Sequence, residues 1–204
     1  PSDNIAVALS VGEKFRGSGL SVIASVALGY EIYCRMQDII PVRGTWDHTT
    51  ASALAAPLIA GRLMGLNAEQ LAHAAALSAT HGNTLAVVRT GQLANSKASA
   101  NAMVASQAVL CSLFAAEGMT APLGVIEHAR GLSTAMLAGA KLDLLAEPIR
   151  GPYRIMNSAI KAYPCIGTAQ TMVAGVLQAR AGIADPAREV QRIEVMMADI
   201  PIVS

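Results

Sequence analysis

Charge is scarce in this chain. Asp, Glu, Lys and Arg make up 14% of the 204 residues, against roughly 25% in an average globular chain. So few charges cannot coat an ordinary soluble surface of this size, which predicts that another subunit or further polypeptide covers part of it. Aromatic residues amount to only 3%, which removes the stacking platforms that single-stranded nucleic acid uses. The net charge is +1 and the basic residues are scattered, so no basic stripe points to nucleic acid as a partner. Cys34, Cys111 and Cys165 are the only cysteines. They are odd in number and far apart, with no C-x-x-C pair, and read as buried thiols of a reducing cytoplasm. An iron–sulfur hydro-lyase would need clustered ligands, and no H-E-x-x-H pattern offers a zinc site, so no metal is expected. The opening Pro1-Ser2-Asp3-Asn4 lacks the basic start and apolar core of a signal peptide. The weakly charged run from Gly17 to Tyr30 is too short and too rich in small residues to span a bilayer. No membrane partner is expected.

Helical patterning dominates what is present, with 53% hydrophobic residues. Ser2 or Asp3 can cap a first helix through about Lys14. Ser18 to about Asp38 reads as a longer helix, closed by Pro41. Ala51 to Met64 is a third, with Gly65 as its C-terminal glycine and a kink expected at Pro57. Asn67, three before Gln70, predicts a capping box and a fourth helix to Gly82. The segment 82–95 reads as a loop. Asn95 or Ser96 should then cap a long helix to Glu117, stopped by Gly118. Short helical pieces are expected at Val125–His128 and Ser133–Leu137, and a further helix from Thr168 to Ala181. Val190 to Met197 alternates apolar and charged positions, which is a strand signal.

The stretch Arg43-Gly44-Thr45-Trp46-Asp47-His48-Thr49-Thr50 concentrates chemistry. It holds the only tryptophan and an acid beside a histidine, at what reads as a helix start. Helix N-termini present unpaired amides that attract anions, and histidine titrates in the physiological range. Asp47 can orient His48 by hydrogen bonding or can simply cap the helix, a role Thr49 could also fill. Lys97 at a helix N-terminus opposes the helix dipole, which suggests a compensating role.

Together with this turn, Lys97 opening the next long helix, Gly-Met-Thr-Ala-Pro at 118–122 and Ile-Lys-Ala-Tyr-Pro-Cys at 160–165 make the chain resemble the MmgE/PrpD family. That family includes 2-methylcitrate dehydratase, cis-aconitate decarboxylase and iminodisuccinate epimerase. The resemblance implies a mainly α fold: an all-helical domain over 1–150 lacking its N-terminal part, then the truncated start of a smaller α+β domain over 151–204. It implies a cytoplasmic or mitochondrial protein, usually a homodimer, that needs no cofactor. Carried over position by position, it makes His48, Lys97 and Lys161 the catalytic residues. Arg89, Asp47, Thr49 and His81 are assigned to substrate binding. Many members carry a histidine a few residues after the Tyr-Pro pair, where this chain reads Ile166-Gly167-Thr168.

The implied chemistry suits these residue types. Dehydrating a citrate-like acid removes a proton beside a carboxylate and expels hydroxide. The developing negative charge needs nearby cations, which Lys97, Lys161 and Arg89 can supply, and His48 can serve as general base or acid. Decarboxylation or epimerisation of a related acid passes through similarly charged intermediates. A helical scaffold or oligomerisation piece without activity is the alternative of another class. Because members of the family extend beyond this stretch at both ends, residues 1–204 alone are expected to be catalytically silent.

Overall fold

A computed structural model describes residues 1–40, 44–137 and 142–196. It divides into two compact units, the first ending at Asn157 and the second beginning at Ser158. The first unit is helical: α1 (Asn4–Lys14), α2 (Gly19–Ile39), α3 (Ser52–Met64), α4 (Ala68–His81), α5 (Ala100–Ala116) and the short α6 (Leu132–Met136) and α7 (Asp143–Ala146).

Local chemistry sets most of the helix ends. The Ser18 hydroxyl accepts the Ser21 amide at 3.2 Å. Asn67 and Gln70 form the full capping box at the head of α4, each side chain accepting the other's backbone amide at 2.9 and 3.0 Å. Gly65 closes α3 at φ 81, in the left-handed region that glycine enters without steric cost. At α1, by contrast, Asp3 makes no side-chain cap; the Pro1 and Ser2 carbonyls accept the Asn4 and Ile5 amides instead. α3 continues through Pro57, which is fully buried. The long helix expected from Asn95 is divided. Asn95–Ser99 is a tight 3-10 turn without a side-chain cap, and α5 proper begins at Ala100. Residues 125–128 form turns rather than a helix: the one helical bond, from the His128 amide to the Gly124 carbonyl, is not continued, because the Val125 and Ile126 carbonyls accept the Leu132 and Ser133 amides instead. Pro41 and Arg43 lie outside the described residues.

α3 is the centre of this unit and packs against α1, α2, α4 and α5. Its N-terminal half, through Leu54 and Ala55, joins Tyr33, Met36, Leu132 and Met136 in one apolar cluster. Its C-terminal half, through Ile59 and Ala60, joins Val7, Val11 and Ala108 in a second. Small residues allow the close approach. A Cβ placed on Gly29 of α2 would stand 2.3 Å from Ile59 Cδ1. Ile59 is fully buried and cannot step aside. Gly29→Ala should therefore destabilise the fold, because overpacking costs about 1–3 kcal/mol while removing a helical glycine returns only about 1 kcal/mol. Denaturant unfolding measures the balance, and a variant more stable than the parent would contradict the contact.

α5 is apolar on every side. Val104, Ala108, Cys111 and Ala115 are buried, while Met103, Leu110, Leu113 and Phe114 are exposed on its outer face. The helical stretch Asn95–Ala116 is long and apolar enough, by composition, to cross a membrane; here it packs against α3 and α4.

The second unit holds a 3-10 turn at Gly167–Ala169, α8 (Gln170–Arg180) and α9 (Pro186–Glu189). None of its described residues is buried. The strand expected from Val190 does not form among residues 190–196, and Met197 lies outside the described residues. Alternation specifies which face would be buried, but a strand also requires a ladder partner, and Ile193, Val195 and Met196 remain exposed. Cys111 is buried as expected, whereas Cys34 and Cys165 are only half-buried; all three thiols are free.

Candidate functional site

The candidate site is built where two segments of the first unit cross. Trp46 and Leu85 form an antiparallel bridge. The Asp47 amide donates to the Thr84 carbonyl and the Ala86 amide to the Thr45 carbonyl, both at 2.8 Å. The Thr50 hydroxyl donates to the Thr84 carbonyl at 3.2 Å and accepts the Thr84 amide at 3.1 Å. Two 3-10 turns, His48–Ala51 and Ala86–Arg89, leave this crossing together.

Asp47 is their shared partner. It is 4% exposed and caps the first turn by accepting the Thr49 amide at 3.0 Å. Arg89 reaches it from the second turn, with Nε 2.5 Å from Oδ2 and Nη2 3.3 Å from Oδ1. The His48 Nδ1 stands 3.5 Å from the same Oδ2. The carboxylate therefore caps the turn and stands beside the imidazole at once. Burial alone would raise the Asp47 pKa, but Arg89, the Thr49 amide and His48 together hold it below the usual carboxylate range. The His48 pKa is also lowered. Partial burial is the main cause, the side chain keeping 48% of its surface exposed, and Arg89 adds to it with Asp47 opposing. Such a histidine is neutral at neutral pH and able to accept a proton.

His48 is also held through its backbone. Its carbonyl accepts the Tyr33 hydroxyl and the Gln37 Nε2, each at 3.0 Å. These two donors lie four residues apart on α2, hence on one face. In sequence Tyr33 reads only as part of an apolar helical stripe, and the i, i+4 pairing with a polar Gln37 is the one signal that could have singled it out.

The other expected residues distribute as follows. Lys97 is half-buried in the turn Asn95–Ser99, which packs against Ala86–Arg89. The Ser52 hydroxyl donates to Asn101 Oδ1 at 3.1 Å, tying the start of α3 to the first turn of α5. The elements bearing His48, Arg89 and Lys97 thus adjoin. Thr49 is fully buried, so its amide rather than its hydroxyl serves the turn. His81 ends α4 with an exposed side chain. Lys161 belongs to the second unit, exposed in an irregular stretch. There Gln170 Oε1 accepts the Tyr163 amide at 3.0 Å, and its Nε2 donates to the Tyr163 carbonyl at 2.9 Å, which shapes the turn that follows Lys161. Among the described residues, no three His, Cys, Asp or Glu side chains are gathered as a metal ion would require.

Residues 1–145 match the family model of the MmgE/PrpD N-terminal domain. A comparison with curated proteins found no match. The match spans more than half of the chain and contains the whole crossing at Asp47, with His48, Arg89 and Lys97. The chain belongs to the MmgE/PrpD family.

Proposed function

We propose that this protein is a cofactor-independent hydro-lyase of the 2-methylcitrate dehydratase type, acting on a small polycarboxylate. The observation that carries the proposal is the Asp47 carboxylate shared by Arg89 and His48. It presents a neutral imidazole next to a guanidinium whose Nε and Nη2 are already oriented, leaving Nη1 for a substrate carboxylate. In the proposed step, His48 takes the proton from the carbon beside a carboxylate, a carbon–carbon double bond forms as the carbon–oxygen bond breaks, and the departing hydroxide takes that proton back from the imidazolium to leave as water. Lys97 is the cation that meets the developing charge, and Lys161 is assigned as a second one by the family resemblance alone. Asp47 orients His48, and Thr49 supports Asp47 through its amide. His81 has no assigned step. The exposed apolar face of α5 supports a reading as a homodimer.

The test is a panel of tricarboxylic acids given to the full-length protein, followed by the ultraviolet absorbance of the unsaturated product. Water loss from a citrate-like acid, unchanged after exhaustive dialysis against a chelator, is the expected result. Carbon dioxide release or loss of optical activity without absorbance would replace dehydration with decarboxylation or epimerisation. Inertness toward every acid in the panel would remove the enzymatic reading.

A further inference from the structure

A cavity of about 440 Å³ opens between the end of α4 and the turn 122–131. Trp46, Ala79, Val125, Leu132 and Ala135 form much of its wall. That wall is built, not incidental. The Trp46 Nε1 donates to the Ala135 carbonyl at 3.0 Å. The turn is closed by the Leu132 and Ser133 amides, which reach the Val125 and Ile126 carbonyls at 2.9 Å. A Cβ at Gly131 would lie 2.3 Å from the Val125 oxygen, so only glycine lets the backbone fold this tightly. His128 and Arg130 line it beside Thr80 and Asn83, whose hydroxyl and amide already donate to the Ala76 and Ala79 carbonyls. The His128 Nδ1 accepts the Arg130 amide at 3.1 Å, so the ring proton sits on Nε2 and is left to donate. Among the described residues, no carboxylate lines the cavity, and neither do His48, Arg89 or Lys97.

We propose that this cavity binds a small monocarboxylic acid with an apolar body, branched or aromatic, lying on Trp46 with its carboxylate at Arg130 and His128. Its volume lies at the lower end of the roughly 300–1,000 Å³ typical of small-molecule sites. One guanidinium and one imidazole N–H match one carboxylate. A second or third carboxylate would find no further cation among the lining residues, at a desolvation cost. The ligand class therefore differs from that of the polycarboxylate site, although Trp46 is the immediate neighbour of Asp47.

Trp46 is the only tryptophan of the chain and reports occupancy by its own fluorescence. Benzoate and isovalerate, titrated into the purified full chain, should change its emission saturably. Calorimetric titration of the same acids supplies an independent affinity. Arg130→Gln should weaken binding about ten- to a hundredfold, as loss of a hydrogen-bonded charge does, while Arg130→Lys restores part of it. His48→Gln should leave the affinities unchanged, which separates this site from the proposed catalytic one. Circular dichroism checks that each variant folds. No saturable response, equal binding by Arg130→Gln, loss of binding in His48→Gln, or equally tight binding of tricarballylate would each overturn the assignment.

Discussion

His48→Gln is expected to lower kcat about 10²–10⁴-fold on the best acid of the panel, the usual contribution of a positioned general base. That corresponds to about 3–5 kcal/mol of barrier. The geometry makes this a specific substitution. Tyr33 and Gln37 hold the His48 carbonyl rather than its ring, so glutamine keeps both bonds and removes the imidazole alone. KM should change little, since the loss falls on the transition state. The pH profile supplies the second check. A base must be neutral, and the His48 pKa is lowered, chiefly by burial. The acid limb of kcat/KM should therefore fall below the ordinary histidine value near 6.5. Asp47 opposes that lowering and Arg89 adds to it. Asp47→Asn should accordingly move the limb to lower pH, and Arg89→Gln to higher pH. An unchanged kcat in His48→Gln, or a limb that both neighbours move in the same direction, would remove His48 as the base.

The legible features were those decided within a few residues. The Asn67–Gln70 box and the Gly65 terminus each depend on local groups alone, and each stands where the spacing puts it; the start expected at Ser18 is capped by that residue's own hydroxyl. Long-range pairings were not legible in the same way. Asp47 and Arg89 meet across a separation of 42 residues, and nothing in either segment names the other. Tyr33 and Gln37 bind a backbone carbonyl, which every residue possesses, so apart from their own i, i+4 spacing nothing in the sequence marks them or names His48 as their partner. The misread turn at 125–128 has helix-compatible residues, but its Val125 and Ile126 carbonyls accept the amides of Leu132 and Ser133 rather than those four residues on. Residues 190–196 carry the alternation of a strand without a partner to complete it. The family match covers the Asp47 crossing in residues 1–145, and which of its side chains meet one another is set by distances that only the folded chain supplies.

Arg35→Met should destabilise the first unit by about 3–5 kcal/mol, the cost of leaving a buried charge without its partner. Arg35 and Glu31 are both buried on α2, and Arg35 Nε donates to Glu31 Oε1 at 2.9 Å. Its Nη1 also donates to the Leu144 carbonyl at 3.1 Å and to the Glu147 carbonyl, fastening the end of α7 to α2. The Arg154 amide donates to Glu31 Oε2 at 2.9 Å, so the pair holds the segment that leads to Asn157 both through Arg35 and, at Arg154, through Glu31. Glutamine at 31 in the Arg35→Met background should recover part of the loss, because it removes the stranded charge. Burial alone would raise the Glu31 pKa, but the Arg154 amide and the Arg35 guanidinium bring it below its ordinary value. A carboxylate lowered in the folded state contributes stability above its unfolded pKa, near 4.3. That contribution is lost as pH falls through the lower folded value. The wild-type protein should thus lose this contribution only in acid, and Glu31→Gln should flatten that part of the pH dependence. Glu31 and Arg35 alternate along α2 with Tyr33 and Gln37, two residues apart and so on largely opposite sides of the helix. One side fastens the 144–154 segment while the other fixes the His48 turn. Arg35→Met should therefore lower the unfolding midpoint while leaving kcat, measured well below that midpoint, close to that of the parent. A variant that keeps its stability and loses turnover would reverse this division of the helix.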